Sequence, residues 1–89
     1  MTKLEEAREI IQSVDLEMIE LFKKRMVASK LVAEYKKENQ LPILDEAREK
    51  FLIEKNLKSL NDETLESYYM TFFKGVLDSS KDYQKDLNR

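Results

Sequence analysis

Arg25 stands where an apolar residue belongs. Through the N-terminal stretch the apolar side chains fall on two heptad rows: Leu4, Ile11, Met18 and Val32 on one, Ala7, Val14, Leu21, Ala28 and Tyr35 on the other. Arg25 fills the gap in the first row, between Met18 and Val32. A buried guanidinium without a partner is very costly, so something must neutralise it. Two sources fit: a Glu from a neighbouring helix, giving a structural ion pair, or an anionic ligand held inside a helical bundle. Lys36 follows eleven residues later, which at 100° per residue returns to within ~20° of the same helix face and lies ~16 Å along the axis. Two long cationic side chains leaning together there suit a small anion. Taken alone, Lys36 reads as a solvated lysine flanking the seam.

The other arginines extend the pattern. Twelve Lys accompany four Arg, and Arg8, Arg25 and Arg48 all sit near expected apolar helix faces. The planar, two-pronged guanidinium suits carboxylate recognition better than an ammonium does. Arg8 is roughly 25 Å from Arg25 along one helix, too far for both to touch one small molecule. Antiparallel pairing of two copies would bring the Arg8 of one toward the Arg25 of the other; in isolation, Arg8 reads as half of a local pair with a Glu. Further on, Asp45, Arg48 and Glu49 share one helical turn, where Asp45 also makes a good capping carboxylate. The row Phe73, Leu77, Ser80, Gln84 keeps core spacing but turns polar at its end. Either that end is exposed or it lines a polar cavity.

Positioning these residues falls to helices. One Gly and one Pro in 89 residues leave little for hairpins, phosphate-binding loops or linkers, since average usage is roughly 7% and 5%. A single all-α domain over residues 1–89 is predicted, with three helices: one long, one short and one medium. Nothing between Lys3 and Asn39 breaks a helix, and such a rod of ~55 Å is too long for the rest of the chain to cover. It calls for a second copy. Asn39 to Leu44, with Pro42, forms the first break, and Asp45 caps a second helix with Ala47, Phe51, Leu52 and Leu57 turned inward. Ser59 to Asp62 forms the second break, with Asn61 or Asp62 capping the third helix. That helix runs to about Lys85 with rows at Leu65, Tyr69, Phe72, Val76 and at Phe73, Leu77; Asp86 to Arg89 are expected to fray, and Gly75 to admit a close helix contact.

Composition removes whole classes of function. The net charge of −2 argues against nucleic acid. The absence of Cys and His excludes disulfides, thiolate and Ser-His-Asp nucleophiles, and the usual zinc sites, so no metal and no cofactor is expected. No apolar run approaches the ~18 residues of a membrane span. Acidic residues in MTKLEEAREI stand where a signal peptide would be apolar. A cytoplasmic protein is the expectation.

The segments LEEAREIIQSVD, LFKKRMVASKLVAEYKK and LPILDEAREK, with Ser80 and Gln84 near the end, resemble the all-helical (AroQ-type, type II) chorismate mutases. The likeness is colinear over nearly the whole chain. No single motif is strong, but the joint spacing of Arg8, Arg25, Lys36, Asp45, Arg48, Glu49, Ser80 and Gln84 is fairly specific. The resemblance implies an intertwined homodimer whose long first helices each serve both active sites. It implies an isomerase that converts chorismate to prephenate in Phe and Tyr biosynthesis, a pericyclic shift needing neither nucleophile nor redox group. Arg25 and the partner subunit's Arg8 would hold the two substrate carboxylates, and Lys36 and Gln84 would donate to the ether oxygen. Arg48 and Ser80 would support the carboxylate end; Asp45, through its backbone, and Glu49 would meet the ring hydroxyl; Val32 and Leu52 would form apolar walls. Gln84 is a meaningful variant, since some members carry Glu there. Isochorismate pyruvate lyase on the same scaffold, or a non-catalytic helical dimer with Arg25 fixing its register, are the alternatives.

Overall fold

A computed structural model describes the chain from Met1 to Arg89. It is all-helical: α1 (Lys3–Glu38), α2 (Glu46–Leu60), a short 3₁₀ turn (Glu63–Leu65) and α3 (Glu66–Leu87). Each boundary has a local cause. Thr2 opens α1 with a capping box, its hydroxyl accepting from the Glu5 amide at 3.2 Å while the Glu5 carboxylate accepts from the Thr2 amide at 3.4 Å. At the other end Gln40 adopts φ 54° and the Leu41 amide donates back to the Lys36 carbonyl at 2.8 Å, which closes the last turn before Pro42. Asp45 caps α2 by accepting from the Arg48 amide at 3.0 Å. Asn61 ends α2 in the left-handed region at φ 49°, and Asp62 caps the 3₁₀ turn by accepting from the Thr64 amide at 2.9 Å.

The third helix is the keel. From Arg25 onward α1 runs in the same direction as α3, with Arg25 against Phe73, Ser29 against Ser80 and Ala33 against Asn88. α2 runs antiparallel to α3, held by Asn56 donating to the Tyr69 hydroxyl at 3.0 Å and by a Glu49–Lys81 ion pair. α1 and α2 do not pack on each other. Both are joined through α3.

The buried interior is small and mostly polar. Only Ala33, Phe73, Ser29, Ser80 and Gln84 are buried. Every residue of α1 before Arg25 is exposed, including Leu4, Ile11, Val14, Met18 and Leu21 of the heptad rows. The molecule measures 55 × 26 × 16 Å with a radius of gyration of 16.2 Å, against about 12 Å for a compact chain of this length.

Several sequence expectations need correction within the protomer. α3 packs on the Met26–Ser29–Ala33 stripe of α1, so Ala28, Val32 and Tyr35 point away from it. On α2, Leu52, Ile53 and Leu57 are half-buried, while Ala47 and Phe51 face out because α3 covers only one stripe of that helix. Phe51 instead lies under Arg48 and Lys55, at 5.4 and 5.9 Å. Leu65, which falls in the 3₁₀ turn, and Phe72 on α3 are exposed. The C-terminus is helical to Leu87, and Asn88 ties it to α1 by donating to the Ala33 carbonyl at 2.9 Å, so the expected fraying from Asp86 is not seen. Gly75 meets no close neighbour; it borders an open groove.

The left-handed backbone at Asn61 gives a direct check on this connection. Asn61→Gly is expected to be near neutral in urea unfolding, whereas Asn61→Val should destabilise by about 1–2 kcal/mol, because a β-branched side chain is strained at positive φ.

Candidate functional site

Three of the sixteen cationic side chains escape full exposure: Arg25, Lys36 and Lys81. Lys81 has carboxylate partners, Glu49 at 3.2 Å and Asp78 at 3.6 Å. Arg25 and Lys36 have none. The Arg25 guanidinium lies 6.0 Å from the centre of the Phe73 ring, a cation–π distance that offsets part of its desolvation but leaves its charge unneutralised. The structural ion pair open to Arg25 from sequence is therefore absent within the chain. Lys36 Nζ donates to the Ile43 carbonyl at 2.6 Å. That bond anchors the α1–α2 connection and aims the ammonium, with two of its three hydrogens still to be used.

Facing α1 across the interface, the polar end of the α3 row is buried, which removes the exposed reading, although Ser80 and Gln84 line neither of the clefts beside the seam. Ser80 Oγ lies 2.6 Å from Ser29 Oγ, and Gln84 Nε2 lies 3.1 Å from Ser80 Oγ. Gln84 Oε1 is buried with no partner. An unsatisfied buried acceptor calls for an explanation.

Of the eight residues singled out from sequence, Arg25, Ser80 and Gln84 belong to the α1–α3 seam, and Lys36 is half-buried on the same face of α1 and tied to Ile43. Glu49 meets α3 from α2, and Asp45 is exposed at the start of α2, where it serves as the cap. Arg48 is exposed and occupied with Phe51. Arg8 lies on the free arm of α1, far from the rest within one chain. Two clefts adjoin the seam. One of about 420 Å³ between α2 and α3 is lined by Glu49, Ile53, Phe73, Leu77 and Lys81. The other, of about 540 Å³ between α1 and α3, is lined by Met18, Phe22, Arg25, Phe72 and Gly75. Neither is lined by Lys36 or Gln84, so one protomer does not gather all eight residues around one hollow.

Residues 7–85 match the family model described as chorismate mutase type II. The chain belongs to that family. No curated protein and no solved structure matches it. Membership makes it a chorismate mutase, an isomerase with a small-molecule substrate. No helix is long and apolar enough to cross a membrane.

Two residues of this chorismate mutase were missed from sequence. Ser29 is four residues after Arg25 and seven before Lys36, so helical spacing alone puts it on their face; a lone Ser inside a helix gives no other signal. Lys81 had no signal beyond its i,i+3 spacing from Asp78, since its main partner is on another helix. Its hydrogen bond to Glu49 holds the Lys81 ammonium above its ordinary pKa of 10.5, with some opposition from desolvation and smaller help from the charges of Glu49 and Asp78. A raised lysine pKa contributes stability that is fully present below the unfolded value and fades as pH climbs through the folded one. Lys81→Met should therefore lower the melting temperature at neutral pH. The gap to wild type should narrow above pH 10.5 in thermal melts across that range.

Proposed function

We propose that this chorismate mutase rearranges chorismate to prephenate in clefts built by two intertwined copies, through conformer selection and electrostatic stabilisation without a covalent intermediate. The observation carrying this reading is the pair of half-buried cations on one face of α1, Arg25 and Lys36, with no carboxylate to neutralise either. A dianionic ligand supplies the missing charge.

The chemistry needs nothing the chain lacks. Within the substrate the ether C–O bond breaks while a C–C bond forms, with no atom gained or lost. Negative charge grows on the ether oxygen as its bond stretches. Lys36, already oriented by Ile43, donates to that oxygen and to a carboxylate from one side, and Gln84 donates from the other. Arg25 and Arg8 of the partner subunit hold the two carboxylates, which favours the compact reactive conformer. Arg48 and Ser80 support the carboxylate end, and the Asp45 backbone with Glu49 receives the ring hydroxyl. Lys81 keeps the Glu49 carboxylate in place for that contact.

The homodimer is supported by what one chain leaves uncovered. The first turns of α1 carry Leu4, Ile11, Val14 and Met18 into solvent, and a strip of that length at heptad spacing is suited to another helix. The same arm carries Arg8 away from its own cleft and toward a partner's.

Incubating the purified chain with chorismate and following its ultraviolet absorbance tests the reading. Prephenate is the expected product. No turnover, or conversion of isochorismate to salicylate and pyruvate instead, would overturn it. Lys36→Ala should lower kcat by ~10²–10³, the typical loss on removing a key donor to a developing oxyanion. With no His in the chain and an amide at Gln84, the wild-type rate should stay level between about pH 6 and 8; a steep fall there speaks against the role of Gln84. Exchanging subunits between Arg8→Ala and Arg25→Ala proteins should restore about a quarter of wild-type activity, since half the dimers are mixed and one site in each is intact. A mixture as inactive as its parents rules out shared sites.

A further inference from the structure

We infer that Ser29 is a positioning residue for this reaction: its hydroxyl hydrogen, given to Ser80, turns the Gln84 amide so that Nε2 faces the ligand. The inference rests on the role of Gln84 under the proposed function and adds a residue to it.

Counting hydrogens carries the argument. Ser29 is buried, and its hydroxyl has one partner, Ser80 Oγ at 2.6 Å. Ser80 Oγ has two, Ser29 Oγ and the Gln84 amide at 3.1 Å. One hydrogen lies between the two hydroxyls, and it comes from one or the other.

If Ser80 gives it, the hydrogen of Ser29 has no acceptor. Ser80 must then take a hydrogen from Gln84 Nε2, and Gln84 Oε1 stays buried without a donor within the chain. If Ser29 gives it, the hydrogen of Ser80 is free, and the atom facing it must be an acceptor. A half-turn of the amide supplies one, because its oxygen and nitrogen ends have nearly the same shape. Both hydroxyl hydrogens and Oε1 are then satisfied. Only Nε2 is left, a buried donor awaiting an acceptor, and an ether oxygen can only accept.

Without the Ser29 hydroxyl this order is lost. Ser80 would have no donor other than Gln84 and would be free either to accept from Nε2 or to donate to Oε1; in the first orientation the amide turns its hydrogens inward and Oε1 opposes the charge growing on the ether oxygen. Ser29 lies on the same stripe of α1 as Arg25 and Lys36, so one rigid helix sets two ligand-facing cations and the direction of the opposing amide.

The test is a double-mutant cycle on chorismate turnover, with Ser29→Ala made in the wild-type and the Gln84→Ala chains and melting temperatures measured on all four. In the wild-type background Ser29→Ala should lower kcat about tenfold, less than the ~10²–10³ for loss of a donor itself, with KM within about twofold. In the Gln84→Ala background it should change kcat by less than about twofold, since the amide through which it acts is gone. Unchanged kcat in Ser29→Ala, a loss confined to KM, or an equal kcat loss in both backgrounds would overturn the inference while leaving the proposed function standing. A wild-type chain that does not turn over chorismate would overturn that function, and this inference with it.

Discussion

Two positive charges held partly out of water without a counter-ion are the constraint around which the chain is organised. Arg25 and Lys36 lose hydration on α1 and recover little of it from the protein, one from the face of Phe73 and the other from a single carbonyl. Partial burial of an unpaired cation works against folding. The rest of the fold must carry that cost, and under the proposed function a ligand bearing two carboxylates relieves it. Catalysis in that reading further requires that these groups bind the charge developing in the transition state more strongly than they bind the substrate.

The helices serve this arrangement directly. A 36-residue helix presents cations at fixed intervals along one rigid axis. α3 beneath it brings a hydroxyl and an amide to the same seam, and α2 packs on α3 through the Glu49–Lys81 pair. Because α1 and α2 touch α3 but not each other, the two clefts beside the seam lie along α3, one on either pairing. The accompanying weakness is a protomer with only two buried apolar residues, Ala33 and Phe73. Under the proposed homodimer, the same exposed length of α1 that leaves the single chain so poorly covered becomes the interface and delivers Arg8 to the neighbouring cleft. Stability and site completion then have one origin.

The fold was legible because its signals are local. Heptad spacing without breakers gave α1, Pro42 and Asp45 gave the first corner, and Asn61 with Asp62 gave the second. The Arg25 anomaly was legible for the same reason, as a polar residue in an apolar row. Legibility stopped where a side chain's surroundings depend on a partner helix far along the chain. Ser29 meets Ser80, Lys81 meets Glu49, and Asn88 meets Ala33; none of these pairs leaves a trace in sequence spacing. Phe51 misled for the opposite reason, since an aromatic at core spacing reads as buried whether or not a neighbour reaches it. The heptad rows themselves describe a seam wider than α3 fills, and so belong to the surface that α1 still exposes.

The most direct measurement of the central claim is calorimetric titration of the wild-type protein with a bicyclic dicarboxylate that mimics the transition state. The account predicts saturable binding at one site per chain, with affinity falling by orders of magnitude when Arg25 or Lys36 is replaced by Met. No binding, or binding indifferent to both replacements, would contradict it.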